Sequence, residues 1–107
     1  HTVFESGNMK FVENNKDINE REALMETMTP GRIYVQVGGN DILRIITFDK
    51  RNKRIRTIEK DKRSKEWHTH YGYEHAEYGE QQHEKLTEKD EKILARAIKT
   101  WNNKRRA

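Results

Sequence analysis

Residues 67–75 read Trp67-His68-Thr69-His70-Tyr71-Gly72-Tyr73-Glu74-His75, which puts three of the chain's five histidines within eight residues. Imidazole takes and gives a proton near neutral pH without any help from its surroundings. The segment just before this cluster is strongly basic: from Lys50 to Lys65 nine residues are Lys or Arg and two are acidic. A positive run of that density suits a polyphosphate chain. Proton-transfer groups beside a phosphate-binding run point to phosphodiester chemistry on nucleic acid.

The spacing gives this chemistry a geometry. On a strand His68 and His70 share a face, with Cα atoms roughly 7 Å apart, so two imidazoles can straddle one phosphate. One would remove the proton of a ribose 2′-hydroxyl while the other protonates the 5′-oxygen as it leaves. Arg54 or Arg56 on the neighbouring basic strand would neutralise charge on the phosphorane, and Tyr71 and Tyr73 would stack on unpaired bases. The candidate catalytic set is therefore His68, His70, His75, Arg56 and Tyr73. The candidate RNA-binding set is Lys50, Arg51, Lys53, Arg54, Lys60, Arg63, Lys65 and Tyr71, and no cofactor is expected.

Three other readings use the same residues. A polar surface strand carries histidines with no role, and Lys and Arg on an edge strand prevent aggregation without any partner. A noncatalytic RNA- or DNA-binding module needs the cations but not the imidazoles. A metal-dependent hydrolase would draw on His68, His70, His75 and His83 with nearby carboxylates, a ligand set suited to zinc.

Composition limits what must position these groups. A chain of 107 residues holds one domain. It is 32% hydrophobic and 37% charged, with a net charge of +4. Ile, Leu, Val and Phe make about a fifth of it, concentrated between Ile33 and Ile58 and from Leu86 to Trp101. A modest core with solvated flanks follows. The absence of cysteine excludes disulfides and thiolate sites. No apolar run reaches the roughly 20 residues that span a bilayer. The chain opens on His1 rather than Met, which reads as a piece of a longer protein or an added leader, with Met9 as a possible start. Residues 1–14 are accordingly expected to be a leader or flexible N-terminus, and residues 15–107 a single compact α+β domain.

Asp17 to Met28 predicts a helix, with Ile18, Leu24, Met25 and Met28 on one face and Pro30-Gly31 as its stop. Ile33 to Val37 alternates as a strand with one buried face, and Gly38-Gly39-Asn40-Asp41 is a turn. Ile42 to Phe48 is apolar on both faces, Ile42, Ile46 and Phe48 against Leu43 and Ile45, and belongs at the centre of a sheet. Asp49 to Asn52 turns the chain, and Lys53 to Lys60 returns with Ile55 and Ile58 as anchors. Their three-residue spacing does not fit strict alternation and predicts a bulge or a strand end. Glu66 to Tyr73 is the fourth strand, and Glu74 to Lys85 a loop. Thr87-Glu88-Lys89-Asp90 is a capping-box variant opening a helix with an apolar stripe of Ile93, Leu94, Ala97, Ile98 and Trp101. The expected architecture is α+β: a small antiparallel sheet of about four strands with an N-terminal and a C-terminal helix packed on it.

Arg44-Ile45-Ile46-Thr47-Phe48-Asp49, Arg54-Ile55-Arg56-Thr57-Ile58, His68-Thr69-His70 and Leu86-Thr87-Glu88-Lys89-Asp90-Glu91 follow in an order that resembles the C-terminal toxin domains of bacterial polymorphic toxins and phage head-associated proteins. Such domains look like members of the barnase/colicin/RelE group of metal-independent ribonucleases. The similarity covers about Gly31 to Trp101, with Trp67 where the family pattern has a proline. The resemblance implies a metal-independent endoribonuclease leaving a 2′,3′-cyclic phosphate, with His68 and His70 at the matching positions. It also implies an RNA substrate, transfer RNA among the possibilities, an acidic immunity protein that plugs the site, and action in the cytoplasm of a bacterial target cell.

Overall fold

The computed structural model describes residues 2–13, 31–49, 54–73 and 84–106, with the side chains of Thr2, Phe48, Asp49, Arg54 and residues 70–73 outside that description. Six strands lie in one sheet in sequence order: β1 (Thr2–Ser6), β2 (Met9–Glu13), β3 (Ile33–Gly38), β4 (Asp41–Asp49), β5 (Arg54–Lys60) and β6 (Trp67–Tyr73). Every neighbouring pair is antiparallel except β2 and β3, which run parallel. Among the described residues a single helix, α1 (Glu88–Arg106), follows. The α+β class, the antiparallel sheet and the C-terminal helix agree with the sequence reading; the strand number does not. The helix expected over 17–28 lies outside the described residues.

Residues 2–13, read from the sequence as a leader or flexible N-terminus, form the hairpin β1–β2. Met9 and Phe11 alternate into the core at 1% and 0% exposure, and Gly7 takes the left-handed φ of 59° that the two-residue turn requires. Phe4 stacks on Phe11 at 4.2 Å, and both rings lie about 6 Å from Trp101 of α1. The N-terminal hairpin is thereby tied to the C-terminal helix. Arg96 of α1 also hydrogen-bonds the Asn8 side chain in the hairpin turn.

The core lies between the sheet and α1: Met9, Phe11, Ile33, Val35, Val37, Ile45 and Ile58 meet Leu94, Ala97 and Trp101. The opposite face is not open, since Tyr34, Gln36, Ile46, Ile55 and Thr57 are buried there. So β3 buries both faces, where alternation alone predicts one. In β5 neither a bulge nor a strand end falls between the two isoleucines; its register runs unbroken from Arg54 to Glu59 against β4 and from Arg54 to Lys60 against β6. Ile55 and Ile58 simply serve opposite faces. The irregularity sits in β4 instead, where Gln36 pairs Arg44 but Val37 pairs Ile42, leaving Leu43 as the extra residue. That slip puts Ile42 on the core side with Ile45, contrary to simple alternation.

The capping box of α1 forms as the sequence predicts. The Thr87 hydroxyl accepts from the Asp90 N–H at 3.2 Å, and the Asp90 carboxylate accepts from the Thr87 N–H at 2.9 Å. Acidic residues fill the helix's first turn and Lys104, Arg105 and Arg106 its last, as the macrodipole favours. At that end the Trp101 indole N–H and Arg105 both donate to the Asn40 carbonyl at 2.9 Å, fixing α1 to the β3–β4 turn. The loop expected over 74–85 ends bound rather than free: Glu84 exchanges two backbone hydrogen bonds with Thr69, at 2.8 and 2.7 Å.

Candidate active site

Register builds a polar row across four strands on the face away from α1. Gln36 of β3 pairs Arg44 of β4, Arg44 pairs Glu59 of β5, and Glu59 pairs His68 of β6. Arg44 donates from Nε to the buried Gln36 amide oxygen, and its guanidinium lies 3.7 Å from the Glu59 carboxylate, each side chain about a third exposed. Directly opposed residues on antiparallel strands hold their Cβ atoms roughly 4.5–5.5 Å apart. A guanidinium, a carboxylate and an imidazole therefore stand side by side on a fixed backbone. Such a trio can clamp a phosphate, take a proton and give one.

The turn between β5 and β6 adjoins this row. The Asp61 carboxylate accepts from the backbone N–H groups of Arg63 and Ser64, both at 2.8 Å. These bonds, Ser64's first and then Arg63's, hold the Asp61 carboxyl below its ordinary range; the partial burial that opposes them is outweighed, and the Ser64 hydroxyl and the charge of His68 add to the effect. Asp61 N–H donates to the Glu66 carbonyl at 2.8 Å, and Lys65 N–H donates to the Asp61 carbonyl at 3.0 Å. Lys65 sits at φ 61°, a left-handed conformation costing a non-glycine residue about 1–2 kcal/mol. The result is a closed turn with Lys62, Arg63 and Lys65 exposed on its rim.

A cleft of about 990 Å³ brings these parts together. Arg44, Lys60, Lys62, Arg63, Lys65 and Arg105 line it as cations, against the carboxylates of Asp41, Glu59 and Asp61. His68 lines it as well, as do Leu43, Trp67 and Ile98. The lining is net positive and mixes charge with apolar surface.

The residues singled out from sequence fare differently. His68, Lys60, Arg63 and Lys65 come together in the cleft. The backbone of His70 pairs with Thr57, that of Tyr71 with Arg56, and that of Tyr73 with Arg54. Lys50, Arg51, Lys53, His75 and His83 lie outside the described residues. Arg56 is a correction. It pairs with Thr47 and Tyr71, shares the face of Ile58, and forms an ion pair with Asp90 of α1. Its guanidinium braces the helix from the core side of the sheet, the face opposite to His68. Arg44, which sequence reasoning left out, occupies the place assigned to it, and Glu59 is the second residue missed.

Among the described residues no three His, Asp or Glu side chains gather as a metal-binding group. Among them, too, no helix is long and apolar enough to cross a membrane. Comparison of the chain with known protein families, curated proteins and solved structures gave no match.

Proposed function

We propose that this chain is a metal-independent endoribonuclease of the bacterial toxin type, working through the row Arg44–Glu59–His68. The observation that carries the reading is the continuity of that row with the positively lined cleft. Glu59 accepts the proton of the ribose 2′-hydroxyl as its oxygen bonds to phosphorus. His68 donates a proton to the 5′-oxygen as the P–O5′ bond breaks, leaving a 2′,3′-cyclic phosphate and a 5′-hydroxyl. Arg44 meets the charge that gathers on the phosphoryl oxygens. Lys60, Arg63 and Lys65 hold the flanking phosphates, contacts that position RNA without reading its sequence. His70, whose backbone lies two residues along β6, is the alternative proton-transfer residue that the sequence offers beside His68.

An acidic immunity protein belongs to the same proposal, because a carboxylate-rich surface complements the cationic rim of the cleft. So do an RNA substrate such as transfer RNA and action in the cytoplasm of a bacterial target cell. The test is incubation of the purified chain with total RNA in excess EDTA, followed by end-group analysis. The reading predicts fragments ending in 2′,3′-cyclic phosphate. Cleavage that EDTA abolishes would favour the metal-dependent hydrolase. Intact RNA that nevertheless binds would favour the noncatalytic module.

A further inference from the structure

The outward side of α1 carries a charge pattern that neither the core nor the helix dipole accounts for. Leu94, Ala97 and Trp101 mark the side packed on the sheet, with Asp90 buried beside them. At 3.6 residues per turn, Lys89, Lys92, Arg96, Lys99, Asn103 and Arg106 fall on the opposite side, and all six are exposed. From Lys92 to Arg106 the helix has six cations and no acidic residue. The negative end of the dipole favours Lys104, Arg105 and Arg106, but it reaches only the last turn. Lys89 stands in the first turn, where a cation is disfavoured. Lys89 and Lys92, Lys92 and Arg96, and Arg96 and Lys99 are three or four residues apart, spacings at which like charges weaken a helix. Among the described residues, none of Lys89, Lys92 and Lys99 forms an ion pair with a carboxylate. Arg96 donates to the Asn8 amide oxygen, a neutral partner that leaves its charge in place. Cations kept together against their own repulsion fit an anionic partner.

We infer that this side of α1 docks the sugar-phosphate backbone of double-stranded nucleic acid, so that the RNA this chain takes is a folded one with a helical stem. The inference rests on the nucleic-acid half of the reading above and does not need the cleavage half. Spacing and composition together select the occupant. At a rise of 1.5 Å per residue, the stripe sets a polar or cationic group about every 5 Å along about 25 Å of helix. A phosphate backbone repeats its negative charge on the same scale of a few ångströms. None of the six residues is aromatic, so an unpaired base finds nothing to stack on and the outside of a duplex is the better match. A lipid surface fits poorly, because the apolar side that a membrane-bound helix would insert is already packed on the sheet. Contacts to phosphate carry no sequence information, so the stem is held for its shape and charge.

The experiment titrates a short fluorescein-labelled RNA duplex over a series of salt concentrations, in a His68→Ala background that keeps the probe whole. Lys89→Gln, Lys92→Gln and Lys99→Gln are introduced together, since glutamine matches lysine in helix propensity and removes the charge. The slope of log K against log salt is expected to fall by roughly 0.9 for each lysine, about 2 to 3 in all. The melting temperature should hold or rise, because the substitutions relieve repulsion along the helix. Lys89→Arg, Lys92→Arg and Lys99→Arg keep the charge and should keep the slope. An unchanged slope in the glutamine variant, or a duplex that does not bind, would overturn the inference. So would poly-glutamate binding that the same substitutions abolish, an outcome that would assign the surface to an acidic protein. Cleavage by the unsubstituted chain beside an unchanged slope would refute this surface and spare the nuclease reading. Intact RNA beside the expected slope would do the reverse.

Discussion

Asp61 holds the mouth of the cleft in shape by accepting two backbone hydrogen bonds, and these bonds depend on its charge. Because they lower its folded pKa below the ordinary carboxylate value of 3.8, the carboxylate stabilises the turn at every pH above that value. The contribution begins to fade as pH falls through 3.8 and is lost below the lowered folded value. An NMR titration of the Asp61 carboxyl is expected to give a midpoint under 3.8, with the Ser64 amide moving in step. A midpoint at or above 3.8 would contradict this account of the turn. At this scale the sequence was partly legible. The histidine cluster and the lysines of the turn advertise themselves by local density. Arg44 and Glu59 do not, because each becomes interesting only when register sets it beside His68. The direction of Arg56 was within reach. Without a bulge, Ile58 marks the core face and Arg56, two residues earlier, must share it.

Asp90 belongs to two structures at once, the capping box of α1 and the ion pair with Arg56 of β5. It is 4% exposed, so removing its carboxylate breaks the ion pair with Arg56 and takes the acceptor from the Thr87 N–H, while the Thr87 hydroxyl still caps the helix. The lost hydrogen bond to the Thr87 N–H costs roughly 1 kcal/mol and the broken ion pair with Arg56 a further 1–3, which predicts about 2–4 kcal/mol for Asp90→Ala. Urea unfolding checks this; a loss under about 1 kcal/mol would show that the carboxylate is dispensable. Among elements, α1 was readable down to its cap because Thr87 and Asp90 signal locally. The hairpin β1–β2 was missed although Met9 and Phe11 alternate. Its stability comes from distant partners, chiefly the stack on Trp101 and the parallel pairing with β3. The bulge was misplaced for a related reason. Two isoleucines three apart look like a slip on a one-faced strand, but β5 is buried on both faces.

For the molecule as a whole, a net charge of +4 conceals a concentration of cations around one cleft. Binding of single-stranded RNA releases counterions in proportion to the phosphates neutralised, with log K falling against log salt by roughly 0.7 per contact. Replacing Lys62, Arg63 and Lys65 together by Ala should therefore reduce that slope by about 2. Each lies on an exposed turn, so the melting temperature should hold. An unchanged slope would place the RNA elsewhere on the surface. The α+β class and the basic segment were legible from composition and pattern, whereas the cleft itself was not. It joins the β3–β4 turn, the β5–β6 turn and the end of α1, which only the folded chain brings together.

If the row on the sheet carries out the cleavage as proposed, the most direct measurement compares wild type with His68→Ala on a short oligoribonucleotide in excess EDTA. Loss of a general acid should lower the cleavage rate roughly 10²–10⁴-fold, with RNA affinity nearly intact. Equal rates for the two proteins, or RNA left whole by the wild type, would contradict the account.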